Sequence, residues 1–148
     1  MDDSLDIFDT VISTEVAHHD VHKDILTKFH PWMPSVFFKS CDSLIELSKK
    51  VTKQLKSKHK IYYGRMVTGE CFITDDGRDE ISSTFKPLSV DMETASIAHT
   101  CYVNEIPFIS IRTLTDTATH KGAEHFDKNV ISASEISKTF VIKLLKEI

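Results

Sequence analysis

Glycine is scarce in this chain, and the few glycines present do not form a phosphate cradle. The 148 residues include only four glycines, none of them in a G-x-G-x-x-G or a G-x-x-x-x-G-K arrangement. Dinucleotide-binding turns and P-loops need glycine at those spacings because the backbone must approach a phosphate closely. A G-x-S-x-G segment is also missing, so the sequence gives no support for an α/β-hydrolase serine.

Long apolar runs and paired cysteines are missing as well. No stretch approaches the ~20 apolar residues that cross a membrane. The chain begins Met-Asp-Asp-Ser, without the basic and then apolar order of a signal peptide. Its three cysteines form no Cys-x-x-Cys pair, which fits reduced thiols better than a disulfide framework. We therefore expect a cytoplasmic protein with no membrane partner.

Positive charge is in slight deficit. The chain has 18 Lys and Arg against 22 Asp and Glu, a net charge of −4. Lysines are dense only between Lys49 and Lys60, where helical spacing places them on a solvent-exposed face. Nucleic-acid binding needs clustered positive charge, so no nucleic acid is expected as a partner. The length and the 41% hydrophobic content indicate one globular domain over residues 1–148.

Hydrophobic patterning predicts alternating strands and helices. The predicted strands are Thr10–Val16, Ile61–Thr68 and Pro107–Leu114, the last of them central and buried on both faces. The predicted helices are Asp42–Leu55, Gly77–Phe85, Met92–Asn104 and Phe126–Ile148. His18–Pro34 is predicted to be irregular chain. Strand followed by helix, three times over, predicts an α/β sheet with helices on its faces.

Ligands of such sheets collect beyond the carboxyl ends of the strands, which draws attention to 69–75 and 113–119. Two carboxylates stand near these places. Glu93 begins a predicted helix, where an acidic first turn is favoured by the helix dipole alone. Asp116 follows a predicted strand, where Asp commonly caps a turn. Neither carboxylate identifies a function by itself.

Histidines cluster just after the first predicted strand, at His18, His19 and His22, with Asp20 among them. These side chains could supply metal ligands at short spacing. However, the H-E-x-x-H pattern is missing and the cluster does not lie on a predicted helix. A polar loop without a metal is the preferred interpretation.

Three segments, taken in order, resemble consecutive signatures of one enzyme family. They are GRMVTGECFI (64–73), LSVDMETASIAH (88–99) and IPFISIRTLTDTA (106–118). They look like those of the 5′-methylthioadenosine/S-adenosylhomocysteine nucleosidases, within the purine nucleoside phosphorylase superfamily. DTVISTEVAHHDV (9–21) is similar to the family's strand and loop nearby. The resemblance runs over essentially all of the chain.

The resemblance implies a three-layer α/β/α sandwich with a mixed sheet, of the nucleoside phosphorylase type. It also implies hydrolysis of the N-glycosidic bond of 5′-methylthioadenosine and S-adenosylhomocysteine, to adenine and the thioribose product, without a cofactor or a metal. Breaking this bond leaves electron density on the purine, so a proton donor at the base lowers the barrier by a factor of ~10²–10⁴. By resemblance Asp116 is that donor to purine N7, Thr115 orients it, and Arg112 lies near the attacking water.

The same resemblance assigns the substrate-binding residues. Phe72 would stack on adenine, and the backbone of Ile73 would contact the edge of the base. Glu93 would accept both ribose hydroxyls, and Met92 would pack under the sugar.

The resemblance also implies a homodimer or another form of self-association. In the family's dimer, one subunit reaches over the pocket that holds the neighbour's 5′ substituent. The corresponding residues of this chain are Ile25, Leu26 and Pro34.

Family members begin with a further segment that carries a water-activating glutamate and a glycine-rich turn. The resemblance begins after that segment, so we expect an N-terminally truncated form of the fold. Three interpretations stay open: a fragment of a working enzyme, half of a split enzyme, or a non-catalytic nucleoside-binding or dimerisation module. A purine nucleoside phosphorylase is the other alternative, but hexameric phosphorylases carry an arginine after the aspartate, and Thr117–Asn129 contains none.

Overall fold

The computed structural model describes residues 4–29, 33–73, 77–117 and 123–148. In these ranges the strands are β1 (Thr10–His18), β2 (Phe38–Lys39), β3 (Ile61–Thr68), β4 (Ser89–Asp91) and β5 (Ile111–Thr113). The helices are α1 (Lys23–Lys28), α2 (Asp42–Gln54), α3 (Arg78–Phe85), α4 (Thr94–Val103) and α5 (Ala123–Leu145).

The strands form one mixed sheet centred on β1. β3 pairs with β1 in parallel along its whole length, from Thr10 opposite Ile61 to His18 opposite Thr68. β4 continues the sheet in parallel beyond β3. β2 and β5 both run antiparallel to β1, near its carboxyl and amino ends respectively. This arrangement confirms the predicted α/β fold with a mixed sheet.

Neighbouring residues of β1 pack into different hydrophobic clusters. Val11 belongs to a cluster with Ala95 and Ala98 of α4. Ile12 belongs to a second cluster with Val51 of α2 and side chains of α5. Because successive side chains of a strand point to opposite faces, these contacts place α4 on one face and α2 with α5 on the other. The result is the expected three-layer sandwich.

Segment 18–34 is not irregular throughout, because α1 lies inside it. The His22 ring accepts a hydrogen bond from the Asp24 backbone N–H at 3.4 Å, and Lys28 pairs with Asp24 at 2.7 Å. Leu26 buries its side chain in the first cluster. A six-residue helix is too short to show helical periodicity, so the sequence pattern missed it.

The predicted strand at Pro107–Leu114 is also different, because only Ile111–Thr113 joins the sheet ladder and its residues are half-buried. The ladder with β5 covers only Thr10–Ile12 of β1, and the pairing of β1 with β3 is irregular just beyond it, between Ser13 and Glu15. Where the shift occurs, Ser110 exchanges hydrogen bonds with Ser13 at 2.8 and 2.9 Å. Beyond that point β2 takes over the same edge of β1.

The cysteines and the helices can each be described briefly. All three cysteines carry free thiols. Within the ranges given above, none of the helices combines the length and apolar character that a membrane crossing requires.

Candidate functional site

A cavity of about 740 Å³ gathers the residues predicted to act on the ligand. It is lined by the segment after β3, the end of β4, the start of α4, β5 with its following loop, and α5. The predicted site residues that line it are Phe72, Ile73, Met92, Glu93, Arg112, Thr115 and Asp116. The two carboxylates Glu93 and Asp116 therefore share one cavity, although 22 residues separate them along the chain.

The cavity does not arise in the predicted way. We expected 69–75 and 113–119 to meet at the carboxyl ends of parallel strands, but β5 is antiparallel to β1. Phe72 and Ile73 of the first segment and residues 113–117 of the second line one cavity, and Arg112 of β5 reaches the turn between β4 and α4 beside them. Residues 74, 75, 118 and 119 lie outside the described ranges.

The turn between β4 and α4 is organised by Asp91, whose side chain is 6% exposed. Its Oδ1 accepts hydrogen bonds from the backbone N–H groups of Glu93 at 3.1 Å and Thr94 at 2.9 Å. The same oxygen accepts one from the Thr68 hydroxyl of β3 at 2.7 Å, and Oδ2 accepts one from the Thr94 hydroxyl. Asp91 therefore satisfies the first N–H groups of α4 and fixes the helix to the end of β3.

Glu93 lies at the amino end of α4 and extends into the cavity beside a cation. Nη2 of Arg112 donates to Oε2 of Glu93 at 2.7 Å, and Nε of Arg112 lies 3.5 Å from Oδ2 of Asp91. The guanidinium is thus shared by two carboxylates. The positive end of the helix dipole also favours negative charge at this place.

Asp116 is held by its own neighbour and, indirectly, by α5. The Thr115 hydroxyl donates to Oδ1 of Asp116 at 2.8 Å. Asn129, buried on α5, donates through Nδ2 to the Thr115 backbone carbonyl at 2.8 Å. These two bonds restrain the loop that presents the carboxylate to the cavity.

Apolar side chains with exposed surface stand beside these polar groups. Phe72 and Met92 are each about half exposed, and both line the cavity. Exposed aromatic and thioether surfaces can stack on a flat ligand or pack under a ring.

The three residues assigned to a neighbour's pocket lie apart from the cavity. Ile25 is 48% exposed and Pro34 is exposed, whereas Leu26 is only 4% exposed. The Leu26 side chain belongs to this chain's own core, packed with Val11 and Phe38. Ile25 and Pro34 are therefore the members of the set that a second subunit can touch.

The histidine cluster is used for local structure. His22 caps α1, and Asp20 accepts a hydrogen bond from the Glu70 backbone N–H at 2.8 Å. The His18 ring contacts the His99 ring of α4, with centroids 6.3 Å apart. In the part of the chain described, no group of three His, Cys, Asp or Glu side chains is placed to hold a metal ion.

Two residues that organise the site were not identified from the sequence. Asp91 had a local signal, because a carboxylate just before a helix commonly caps it. Asn129 had no local sequence signal, since the Thr115 carbonyl to which it donates lies on a different element, 14 residues away.

Comparisons with known proteins point to one family. The family model of the phosphorylase superfamily matches residues 1–148. A 5′-methylthioadenosine/S-adenosylhomocysteine nucleosidase of Bacillus cereus is 37% identical over 153 residues, which cover 98% of this chain and 64% of the relative. The chain thus spans a little less than two thirds of the length of that relative.

Solved structures of such nucleosidases match nearly the whole of this chain. The nucleosidase of Neisseria meningitidis, in complex with methylthio-immucillin-A, has a TM-score of 0.86 and 33% identity over 99% of this chain and 64% of its own. The nucleosidase of Colwellia psychrerythraea, in complex with adenine, has a TM-score of 0.86 and 32% identity over 99% of this chain and 62% of its own.

Proposed function

The chain belongs to the phosphorylase superfamily, and we propose that it binds 5′-thio-substituted adenosines and takes part in the hydrolysis of their N-glycosidic bond. The products would be adenine and the thioribose. The observation that carries this proposal is that Glu93 and Asp116 line the same cavity, with Phe72 and Met92. The relatives named above supply the class of ligand, because their structures hold adenine and a methylthio nucleoside analogue.

At the sugar end, Glu93 accepts the two ribose hydroxyls. A carboxylate can accept two hydrogen bonds at once, and bonds to a charged acceptor are stronger than those between neutral groups. Arg112 keeps this carboxylate in the cavity through the 2.7 Å bond to Oε2. As positive charge develops on the sugar, its attraction to Glu93 strengthens, which favours the transition state over the bound substrate.

At the base end, Asp116 donates a proton to purine N7. The Thr115 hydroxyl engages Oδ1, so the transferable proton would be carried on Oδ2. Phe72 stacks on the adenine ring, and stacking of this kind contributes about 1–3 kcal/mol per base. The backbone of Ile73 contacts the edge of the base.

Hydrolysis exchanges one bond at C1′ of the ribose for another. The bond from C1′ to N9 breaks, its electron pair moves into the purine, and the proton from Asp116 neutralises the leaving group. Water then forms the new bond to C1′, and the proton that it loses passes to a base outside the described lining of the cavity and, through solvent, restores the proton on Asp116. On this assignment each carboxylate that lines the cavity in the described ranges already has a role: Asp91 caps α4, Glu93 binds the sugar and Asp116 protonates the base.

The same assignment supports a second candidate, a nucleoside-binding module without turnover. No described carboxylate of the cavity remains to take the proton from water. Hydrolysis needs that group from elsewhere, whereas binding of adenine and ribose does not. Phosphorolysis stays a third alternative in which phosphate replaces water.

We further propose that the 148 residues act as one cytoplasmic domain in methionine salvage and self-associate as a homodimer. The contact surface would include Ile25, Pro34 and the 75% exposed side chain of Phe29, the last residue of α1's C-terminal turn. Exposed apolar side chains of this size are typical of contact surfaces when they are contiguous.

Adenine release from S-adenosylhomocysteine tests the enzymatic proposal. In the enzymatic proposal the chain releases adenine, with the base for water supplied from outside the described lining of the cavity, and Asp116→Asn should lower turnover by ~10²–10⁴-fold because it removes the proton donor. Asp127→Asn, an exposed acid of α5, is the matched control and should leave turnover unchanged. Binding of nucleoside without release of adenine would support the binding module, and absence of both would refute the proposal.

A further inference from the structure

We propose that Asp91 is a positioning residue for sugar recognition, which acts by orienting Arg112 and, through it, Glu93 at the sugar end of the cavity. The inference deepens the proposed function and rests on it. Asp91 does not need to touch the nucleoside. Its effect is exerted on the orientation and charge of the two side chains that line the sugar end of the cavity.

The contacts of Asp91 divide between its two carboxylate oxygens. Oδ1 serves structure, since it accepts from the Thr68 hydroxyl and from the N–H groups of Glu93 and Thr94. Oδ2 accepts from the Thr94 hydroxyl and faces Nε of Arg112 at 3.5 Å. One oxygen therefore fixes the helix start, and the other meets the cation.

The balance of charge follows from this division. Arg112 lies between a carboxylate that is 6% exposed and one that is 58% exposed. A buried charge is costly unless it is compensated, so the 3.5 Å contact between Oδ2 of Asp91 and Nε favours one orientation of the guanidinium, from which Nη2 donates to Oε2 of Glu93 at 2.7 Å. A carboxylate has further acceptor sites, which Glu93 can offer to the ribose hydroxyls.

Replacing Asp91 by asparagine separates the two roles. The amide oxygen can keep the position of Oδ1 and continue to cap α4. The amide nitrogen then stands where Oδ2 stood and presents N–H groups to Nε of Arg112, which is itself a donor. Arg112 then loses the contact that orients it, and both the guanidinium and the Glu93 carboxylate bonded to it are less well placed for the ribose hydroxyls.

Two ligands that differ only by the sugar test this inference. 5′-Methylthiotubercidin carries the 5′-thio ribose, and its free base 7-deazaadenine does not. Isothermal titration should show that Asp91→Asn raises the Kd of the nucleoside about tenfold or more, as expected for weakened hydrogen bonds to a charged group. The Kd of 7-deazaadenine should stay within about twofold, because Asp91 acts only on the sugar end.

Asp9→Asn is the matched control, because Asp9 is also a buried carboxylate that accepts backbone N–H groups. Its oxygens bond Asp6 at 3.0 Å and Lys60 at 2.8 Å, and it does not belong to the described lining of the cavity. Asp9→Asn should leave the ratio of the two Kd values unchanged. If Asp91→Asn does not fold, Arg112→Gln must reproduce the selective loss, since Asp91 acts through Arg112.

The outcomes separate the inference from the function on which it rests. A selective loss of nucleoside affinity supports the positioning role. Equal weakening of both ligands, or no weakening of either, overturns it while leaving the proposed function intact. Failure of the wild-type chain to bind either ligand overturns the proposed function as well.

Discussion

Nη2 of Arg112 and Oε2 of Glu93 are joined by a 2.7 Å hydrogen bond between β5 and the amino end of α4. This bond connects two residues that lie 19 positions apart in the sequence. Both side chains are substantially exposed, at 42% and 58%, so the pair contributes little to folding. Its importance is expected in ligand binding.

Glu93→Gln tests that expectation. The amide keeps the size of the side chain but removes the charge that attracts the ribose hydroxyls and Arg112. The Kd of 5′-methylthiotubercidin should rise about 10-fold or more, in keeping with the strength of hydrogen bonds to charged groups. The thermal midpoint should change by less than about 3 °C, because an exposed ion pair contributes little stability. A large loss of stability with unchanged affinity would contradict this account.

Asn129→Ala should release the loop that carries Asp116. The variant removes the 2.8 Å bond from Nδ2 to the Thr115 carbonyl. We expect a loss of about 1–3 kcal/mol in the free energy of unfolding, because the partly buried Thr115 carbonyl loses its partner. We also expect a fall in turnover, since the proton donor is less well positioned.

Asn104→Ala is the control for this variant. Asn104 makes a bond of the same kind and length, from Nδ2 to the Thr100 carbonyl at 2.8 Å, on the exposed end of α4. It should leave turnover unchanged. Equal effects of the two variants on turnover would show that Asn129 has no specific role in placing Asp116.

Gly69 leaves room for the His19 ring, and its replacement should be destabilising. A Cβ atom at this position would lie 2.1 Å from Nε2 of His19. Gly69→Ala should lower the free energy of unfolding in urea by about 1–3 kcal/mol, as overpacking generally does. Removing the ring as well, in Gly69→Ala with His19→Ala, should recover part of this loss.

Gly77→Ala provides the comparison. Gly77 has a φ of 85°, but among the described residues, its chain neighbours aside, no atom lies within 4 Å of the Cβ it would gain. Its cost should come from backbone strain alone and should show no coupling to His19→Ala in a double-mutant cycle. Coupling of similar size at both glycines would rule out the steric explanation for Gly69.

Acidification should destabilise the fold through His18. Burial of the imidazole, and next the adjacent His99 ring, lower the pKa of His18 below its ordinary value, although Asp20 and Glu70 act in the opposite direction. The unfolded chain then binds a proton more readily than the folded one. Stability should therefore fall as the pH decreases through the ordinary histidine value of about 6.5 towards the lower folded pKa.

Thermal unfolding at pH 7.5 and pH 5.5 measures this effect. The decrease in the midpoint should be smaller in His18→Gln and in His99→Gln than in the wild type. His59→Gln, at a ring that contacts Phe8 instead, should retain the full decrease. An unchanged decrease in His18→Gln would assign the acid sensitivity to other groups.

The sequence pattern predicts those strands and helices whose own residues favour the observed conformation. β3 occupies Ile61–Thr68 as predicted, because β-branched and aromatic residues run up to a glycine. α2 starts at Asp42 and ends at Gln54, one residue before the predicted end. β4 was missed, since three residues beside a helix-like pattern give no periodic signal of their own. α4 starts at Thr94 rather than Met92, after a turn in which Asp91 accepts hydrogen bonds from the N–H groups of Glu93 and Thr94.

The residues of the site likewise include some that the sequence predicts and some that it does not. Glu93, Arg112 and Asp116 could be named because they stand in segments that resemble a family, and the cavity brings them together. The sharing of Arg112 between Asp91 and Glu93 depends on a contact between distant segments, which no sequence window contains. The hydrogen bond from Asn129 to Thr115 is non-local in the same sense.

A crystal structure of this chain with methylthio-immucillin-A tests most directly whether the two carboxylates act on one nucleoside. We predict a carboxylate oxygen of Asp116 within about 3.2 Å of N7 of the base, and Glu93 oxygens within the same distance of the sugar hydroxyls. A ligand bound with either carboxylate out of contact, or bound outside this cavity, would contradict the account.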